Sequence, residues 1–304
     1  MKFSELVFAC SRRFAKSTFG FWQRLGLHVV PNHFYEPIPD TRHLPDSLWA
    51  GPQEMPGVNM NDAGQLALLD SFVARFKAEF DAFPDSPTPI AHQYFIHNSA
   101  FASVDGEVAY CMARHFKPRR MIEIGSGFST FVSAQALLVN AKEDPAAACD
   151  FTAVEPFPNP VIRAGLPGLS RLIPAPVQQV PLSTFTALGP NDILFIDSSH
   201  ILKIGSDVHY EFLEVLPRLA AGVVVHVHDI FLPLEYPKDW IMKHRRFWNE
   251  QYILQAFLIG NAQFEVLFGG QWMHVRHPDA LERAFRSYNR KTRSPGSFWM
   301  RKVA

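Results

Sequence analysis

Five short apolar segments between Met121 and Asp229 constrain the fold more than any other feature of this chain. Each is rich in β-branched or aromatic residues and is bounded by turn residues, which is typical of buried strands. Helical patterns separate most of them, notably at 128–141 and 207–219. The alternation predicts an α/β fold, a parallel sheet with right-handed crossovers and helices on both faces. The segments are MIEIG (121–125), FTAVE (151–155), SRLIPA (170–175), DILFID (192–197) and GVVVHVHD (222–229).

Two further apolar runs lie towards the C-terminal end. FEVLF at 264–268 and QWMHVRH at 271–277 are separated only by Gly269 and Gly270. So short a glycine connection is typical of a β-hairpin. We therefore predict a Rossmann-like sheet of parallel strands with an antiparallel C-terminal hairpin at one edge.

The first third of the chain is organised differently. Residues 31–56 are rich in proline and turn residues, whereas 61–80 and 104–116 carry helical patterns. We divide the chain into an N-terminal arm, 1–94, and a domain, 95–304. The arm starts with an amphipathic segment that suits either a peripheral membrane or partner-docking helix, or a helix packed on its own domain. Its apolar face is Phe3, Leu6, Val7, Cys10 and Phe14, with Arg12, Arg13 and Lys16 elsewhere.

Composition narrows the classes of function. The 304 residues are 47% hydrophobic, enough for a sizeable core, and 29 basic residues balance 29 acidic ones. With no net charge, nothing global attracts a nucleic acid, so we predict no nucleic-acid partner. Cys10, Cys111 and Cys149 lack CxxC spacing, which favours a reducing, cytoplasmic location. Charged residues interrupt the first apolar run too early for a signal peptide or a transmembrane segment.

Polar residues follow four of the five predicted strands. In an open parallel sheet, ligands bind beyond the carboxyl ends of the strands, so these residues should lie at the same edge. They are the turn Gly125–Gly127, Glu155, the segment Asp197–His200, and His228 with Asp229.

The first of these groups, EIGSG at 123–127, is a G-x-G turn between a strand and a helix. Its glycines let the backbone approach a ligand, and the helix that follows offers unpaired N–H groups. A dinucleotide fold would place a third glycine where Thr130 stands, so NAD is disfavoured. Glu155 could accept hydrogen bonds from a ribose diol. An ordinary strand-to-helix turn is the alternative interpretation.

The ordered series EIGSG, AVE, DILFIDSSH and HVHD, followed by an antiparallel terminal pair, resembles the class I S-adenosylmethionine-dependent methyltransferases. It is most similar to the metal-assisted, catechol O-methyltransferase-like branch and related bacterial small-molecule methyltransferases. The resemblance covers about 98–277 and implies S-adenosylmethionine as cofactor and a small, hydroxylated acceptor. It also implies a set of cofactor-binding residues, namely Asn98, Glu123, Gly125, Ser126, Gly127, Ser129, Glu155, Gln179 and Asp197.

The resemblance assigns the acceptor side as well. In that branch an aspartate ends the fourth strand, a lysine base follows three residues later, and an aspartate–asparagine pair ends the fifth. Asp197 matches the first, and His200 takes the place of the lysine. His228 and Asp229 stand where the branch has its aspartate–asparagine pair. We therefore expect His200 to act as base and Asp197, His228 and Asp229 to bind a divalent metal, Mg²⁺ or Mn²⁺.

Each of these residues also has a structural interpretation. Asp197 could cap the turn after its strand, and His200 and His228 could be hydrogen-bonded structural histidines. His226 lies two residues deeper in its strand, so we predict a core histidine. The segment 230–249 suits a lid or an acceptor wall as well as a hydrophobic ledge. We name Glu235, Tyr236 and Trp240 as candidate substrate contacts.

Two other functions fit parts of the pattern. A metal-dependent hydrolase would use His200, His226, His228 and Asp229, but it leaves EIGSG and Glu155 without a role. A non-catalytic, cofactor-binding scaffold would act through the N-terminal arm, but it does not explain why Asp197, His200 and Asp229 occur together. A homo-oligomer is compatible with all three functions.

Overall fold

The computed structural model describes residues 3–304, with side chains described from Val7 onward. The strands are β1 (Arg120–Ile124), β2 (Asp150–Val154), β3 (Arg171–Ile173), β4 (Ile193–Ile196), β5 (Val224–Val227), β6 (Phe264–Gly269) and β7 (Phe298–Lys302). The α-helices are α1 (Phe3–Arg24), α2 (Asp62–Phe80), α3 (Asp105–Phe116), α4 (Phe128–Glu143), α5 (Pro160–Arg163), α6 (Leu182–Thr186), α7 (Asp207–Tyr210), α8 (Lys238–Met242), α9 (Glu250–Leu258), α10 (Gly270–Arg276) and α11 (Pro278–Ala284). A π-helical segment, Glu211–Val215, continues α7.

The strands form one sheet in the order β3-β2-β1-β4-β5-β7-β6. Strands β1 to β5 pair in parallel, whereas β7 lies antiparallel between β5 and β6. The order reverses direction at β1, so connections run to both sides of that strand and helices cover both faces. The predicted Rossmann-like sheet with antiparallel C-terminal strands is confirmed.

The second strand of the antiparallel pair is not the predicted one. β6 pairs with β7, and the run predicted as its hairpin partner forms α10 instead. The two glycines therefore begin a helix rather than a hairpin turn. The run at 271–277 lacks strict alternation of apolar and polar residues, so its composition suits a helix equally well. The gap between β5 and β6 is filled by FWMRK, whose first three residues are buried.

The core has two layers because successive strand residues point to opposite faces of the sheet. Met121, Phe195 and Trp299 pack in a cluster with residues of α2 and α3. Ile122, Leu194 and Met300 pack in the other cluster, with residues of α7 and α9. Each strand thus contributes to both layers, which explains its nearly continuous apolar sequence.

The chain forms two compact units, Met1–Gly51 with Pro237–Phe247, and Pro52–Tyr236 with Trp248–Ala304. The sheet belongs to the second unit. Within the first, Lys238 Nζ lies 2.7 Å from Asp46 Oδ1. The predicted boundary at 94/95 between arm and domain stays a prediction, and α2 belongs to the unit that contains the sheet. In the part of the chain that the structure describes, no helix is both long and apolar enough to cross a bilayer.

Gly125 allows the ends of β1 and β4 to lie side by side. Its φ is +92°, and a Cβ there would stand 2.0 Å from the carbonyl oxygen of Asp197. We expect Gly125→Ala to lower the free energy of unfolding by more than about 2 kcal/mol, measured by urea denaturation, because the strand ends must separate. Gly127→Ala is the matched control, since its Cβ would meet nothing within 4 Å. Equal losses in the two variants would contradict this explanation.

Glu107 is a carboxylic acid buried in α3, with Ser287 as its hydrogen-bond donor. Burial raises the pKa of Glu107 from 4.5 to about 7. A raised folded-state pKa contributes stability that is complete below the unfolded value and is lost as the pH rises through the folded value. We expect wild type to lose roughly 3 kcal/mol of unfolding free energy relative to Glu107→Gln between about pH 4 and about pH 8.

The measurement is denaturant unfolding of both proteins across that pH range. Glu54→Gln, at an exposed glutamate, is the control and should track wild type within about 0.5 kcal/mol. Parallel pH curves for wild type and Glu107→Gln would show that Glu107 is ionised at no cost in the folded protein.

Candidate active site

The ends of β1, β4 and β5 lie together at one edge of the sheet. Backbone hydrogen bonding continues for one residue beyond each of these strands. Gly125 N donates to Val154 O at 2.9 Å, Asp197 N to Ile124 O at 2.8 Å, and His228 N to Ile196 O at 3.0 Å. These bonds extend the sheet by one residue at each strand end. The polar residues that follow the strands therefore lie together, as parallel topology predicts.

A cavity of about 340 Å³ opens beyond the ends of β1, β2 and β4. Of the predicted cofactor residues, Gly125, Glu155 and Asp197 line it. Ser198 and Ser199, within the predicted segment 197–200, line it as well, and three lining residues were not predicted, namely Phe157, Gln178 and Asp207. Phe157 is 87% exposed, which is unusual for a phenylalanine and places an open aromatic face at the cavity. The predicted Gln179 is exposed, and its neighbour Gln178 is the glutamine in the lining.

Glu123 is wholly buried at the end of β1. Burial raises its pKa to about 8, and the Ser129 and Thr130 hydroxyls oppose that rise. Neither carboxyl oxygen of Glu123, nor the hydroxyl of Ser126, has a hydrogen-bond partner of good geometry in the described part of the chain. Gly127 N is satisfied by Thr130 Oγ1 at 2.9 Å. Buried polar atoms without partners mark places where a bound molecule could complete the hydrogen bonding.

Asn98 makes its hydrogen bonds within its own loop. Its Oδ1 accepts from Phe101 N at 2.6 Å and from Ala100 N at 3.1 Å, and its Nδ2 donates to Phe95 O at 2.8 Å. These bonds shape the loop before α3. A contact between Asn98 and the cofactor stays a prediction.

His200 lies against three carboxylates. Its Nδ1 is hydrogen-bonded to Glu250 Oε2 at 2.8 Å. Its Nε2 lies 3.5 Å from Asp197 Oδ1 and 3.6 Å from Asp229 Oδ2. Burial lowers the pKa of the imidazole, but the Glu250 hydrogen bond and the nearby carboxylates outweigh it, and the pKa is raised above 6.5. The hydrogen bond to Glu250 fixes Nδ1 of the ring, and Nε2 faces Asp197 and Asp229 at the ends of β4 and β5.

His228 makes a similar set of contacts from β5. Its Nδ1 lies 3.3 Å from Asp197 Oδ1, and its Nε2 lies 3.7 Å from Asp105 Oδ2. Burial lowers the pKa of His228, but Asp229, Asp197 and Asp105 together raise it well above its ordinary value. For Asp197, burial raises the pKa, but the charge and hydrogen bond of His228 and the charge of His200 together outweigh burial and lower the pKa to about 2. The two groups form an ion pair in which each partner stabilises the charged form of the other.

His226 is separate from this cluster. It is fully buried, its Nε2 lies 2.9 Å from Ser297 Oγ, and its ring stacks on Phe195 with centroids 3.8 Å apart. Burial lowers its pKa well below 6.5, so the ring is neutral. The prediction of a core histidine is confirmed.

Two residues of the cluster adopt left-handed backbone conformations. His200 has a φ of 61° and Asp229 a φ of 54°. Such conformations are uncommon outside glycine and cost free energy, so they persist only where surrounding structure enforces them. Both occur where a strand end turns towards the same cluster.

Sequence reasoning missed Asp105, Trp248 and Glu250. Asp105 begins α3 and accepts from Gly296 N at 3.0 Å and Ser297 N at 2.8 Å, as well as facing His228. Trp248 packs on the His200 ring with centroids 4.3 Å apart. Asp105 resembles an ordinary acidic residue in the first turn of a helix, and so does Glu250 in α9. Their only distinguishing signal is burial, which a single sequence does not show.

The candidate substrate residues have structural contacts. Glu235 Oε1 accepts from Tyr252 Oη at 2.6 Å and from Gln251 Nε2 at 3.2 Å. Tyr236 is buried, and its hydroxyl accepts from Gln251 N at 3.1 Å. Trp240 belongs to the other compact unit. Their roles as substrate contacts stay predictions.

Comparison with known proteins adds independent information. A family model described as a methyltransferase domain matches residues 122–230. An uncharacterised protein of Archaeoglobus fulgidus is 31% identical over 181 residues, which covers 56% of this chain and 78% of that protein.

Among solved structures, an O-methyltransferase from Bacillus cereus in complex with SAH is similar with a TM-score of 0.37 and 12% identity, over 78% of this chain and 91% of that one. A putative protein-L-isoaspartate O-methyltransferase from Plasmodium falciparum, bound to S-adenosyl-L-homocysteine, has a TM-score of 0.30 and 16% identity, over 54% of this chain and 83% of that one.

The family model spans the strand ends that form the cavity, from β1 to the end of β5, and the archaeal relative covers more than half of the chain. The sheet order and the position of the cavity agree with that match. Residues 122–230 therefore belong to a methyltransferase domain family.

Proposed function

We propose that this chain transfers the methyl group of S-adenosylmethionine to a hydroxyl of a small-molecule acceptor, with His200 as the base. The observation that carries the proposal is the buried 2.8 Å hydrogen bond between His200 Nδ1 and Glu250 Oε2. It orients the imidazole so that Nε2 faces Asp197, which lines the cavity. A base held by a carboxylate and directed at the cofactor cavity suits deprotonation of an acceptor at that edge.

The cofactor would lie in the cavity beyond β1, β2 and β4. Glu155 supports this placement because its carboxylate lines the cavity and could accept from ribose hydroxyls. The unpartnered oxygens of Glu123 and the hydroxyl of Ser126 offer further hydrogen bonds beside the Gly125–Gly127 turn. Asp197 places negative charge at the same edge, which suits a cationic sulfonium.

The reaction needs an acceptor oxygen in line with the sulfonium–methyl bond. A bond forms between the oxygen and the methyl carbon while the sulfur–carbon bond breaks, and the electron pair stays on sulfur as S-adenosylhomocysteine. The acceptor proton passes to His200 Nε2, and Glu250 stabilises the imidazolium that results. The Trp248 ring covers one face of His200, which limits access of water to the base.

Besides S-adenosylmethionine, the family resemblance implies a metal ion. The predicted ligands Asp197, His228 and Asp229 are close together, but the contacts pair them with one another. A histidine whose pKa is raised by carboxylates at both nitrogens holds a proton where a ligand needs a lone pair. Among the side chains that the structure describes, from Val7 onward, there is no group of three or more His, Cys, Asp or Glu that could hold a metal ion. As placed, the donor set does not fit, and the proposed mechanism has no metal-dependent step.

The competing functions have less support. A hydrolase built on four histidine and aspartate residues would need His226, which is buried against Ser297 and Phe195 instead. A scaffold without catalysis would need no base, whereas His200 is held by Glu250 in a strained turn. An amine acceptor would use the same base and differs from a hydroxyl acceptor only in its product.

Cofactor binding is the first test. In isothermal titration calorimetry we expect S-adenosylmethionine and S-adenosylhomocysteine to bind, and Glu155→Ala to weaken both by roughly tenfold to a hundredfold because charge-assisted hydrogen bonds are lost. Asp150→Ala, at an exposed carboxylate at the opposite end of the same strand, should bind as wild type does. Absence of binding by the wild-type protein would overturn the proposed function.

The base is tested by its pH dependence, once a panel of hydroxylated compounds has identified an acceptor that gains one methyl by mass. We expect kcat/KM to rise with pH through an apparent pKa above 6.5, because His200 must be neutral to accept a proton. In Glu250→Gln that pKa should fall, since the hydrogen-bonded carboxylate that raises it is gone. His200→Gln should lose turnover by roughly a hundredfold or more while binding S-adenosylhomocysteine normally.

Two outcomes would contradict this mechanism. An unchanged pH profile in Glu250→Gln would show that another group is the base. Turnover that is lost after treatment with a chelator and restored by Mg²⁺ or Mn²⁺ would show that the reaction is metal-assisted.

A further inference from the structure

The helix α1 has two apolar faces, and one of them is partly covered. On that face, Phe8 stacks on His33 and Phe19 stacks on His28, each with centroids 5.7 Å apart. Ala15, between them on the helix, is 6% exposed. Phe8 is still 39% exposed and Phe19 36%, so the segment after the helix covers this side of α1 only in part.

The second apolar face is exposed. We call it the exposed stripe, and it consists of Val7, Cys10, Phe14 and Phe21, whose spacing places them on one side of a helix. Val7 is 51% exposed, Phe14 58% and Phe21 59%. Phe3 and Leu6 were predicted on the same face, and their side chains lie outside the described residues. Leu25, just beyond the helix, is also 59% exposed.

Charge is segregated around this stripe. Arg12, Arg13, Lys16 and Arg24 all lie on α1, and no aspartate or glutamate occurs between Glu5 and Glu36. The whole chain, by contrast, has a formal net charge of zero. Arg13 and Arg24 lie beside the exposed stripe on the helix surface, by their spacing from Cys10 and Phe21. An apolar strip beside cations complements a surface that has an anionic outer layer over an apolar interior.

We propose that α1 lies in the interface of a membrane that contains anionic lipids. The exposed stripe enters the boundary of the acyl chains, and Arg13 and Arg24 face the lipid phosphates. The helix lies on the bilayer and does not cross it, in keeping with its low hydropathy. A second copy of the chain is a poor occupant, because pairing two stripes would bring together Arg13 and Arg24 of both copies, four cations in all.

The test is flotation of the full-length protein with phosphatidylcholine vesicles, with and without phosphatidylserine. We expect binding only when phosphatidylserine is present. Phe14→Asp/Phe21→Asp should bind at least about tenfold more weakly than Ala9→Asp/Gln23→Asp, which adds the same charge on the polar side of α1. Arg13→Gln/Arg24→Gln should bind about fivefold more weakly for each arginine removed. Lys142→Gln/Arg163→Gln, at exposed residues of the second unit, controls for net charge.

Three outcomes would overturn the proposal. The first is no flotation of wild type with either vesicle, and the second is equal binding of the two aspartate double variants. The third is a dimer in sedimentation equilibrium without vesicles that Phe14→Asp/Phe21→Asp abolishes, which would assign the stripe to a second copy. Titration with S-adenosylhomocysteine should be unchanged in these variants, so failure of this proposal is distinguishable from failure of the proposed function.

Discussion

The ends of β1 and β4 approach each other more closely than side chains would allow, and the architecture of the site depends on that approach. Gly125 lies against the carbonyl of Asp197, in a conformation that glycine adopts without strain. The hydrogen bond from Asp197 N to Ile124 O then keeps the strands paired to their last residues. Because Asp197 is held there, the turn that follows directs His200 back towards β5 and Glu250.

Charge compensation is what makes so acidic a site compatible with burial. Asp105, Asp197, Asp229 and Glu250 all lie within ion-pair distance of a histidine ring. Isolated carboxylates in such a place would be desolvated at high cost, and the paired imidazoles offset much of it. This pairing lowers the pKa of Asp197 and raises the pKa of His228. The paired carboxylates and imidazoles that stabilise this edge of the folded sheet are therefore also the groups that the proposed reaction uses.

The sequence predicted what depends on local pattern and failed where burial or distant packing decides. The five parallel strands follow from β-branched runs and turn residues, and the core position of His226 follows from its depth in the strand. The seven residues after Gly270 were assigned to a strand because their composition is apolar, but packing selects a helix there. The true partner strand lies about 30 residues further on, where no local signal marks it.

The site was predicted unevenly for the same reason. Residues at strand ends were found because parallel topology brings all such ends to one edge. Glu250 and Asp105 stand at helix starts, where acidic residues are common for reasons unrelated to chemistry. The cavity lining includes Gln178 and not the predicted Gln179, because the sequence does not reveal which side of a short helical turn faces the cavity.

The left-handed backbone at positions 200 and 229 restricts which amino acids either position can hold. Aspartate, asparagine and glycine tolerate that conformation best, and a β-branched residue is strongly disfavoured. At position 229 the related branch has asparagine, which this backbone also accommodates. Exchange between aspartate and asparagine there would add or remove a negative charge without rebuilding the turn. A single substitution at position 229 therefore changes the charge at this edge of the sheet while the path of the main chain is preserved.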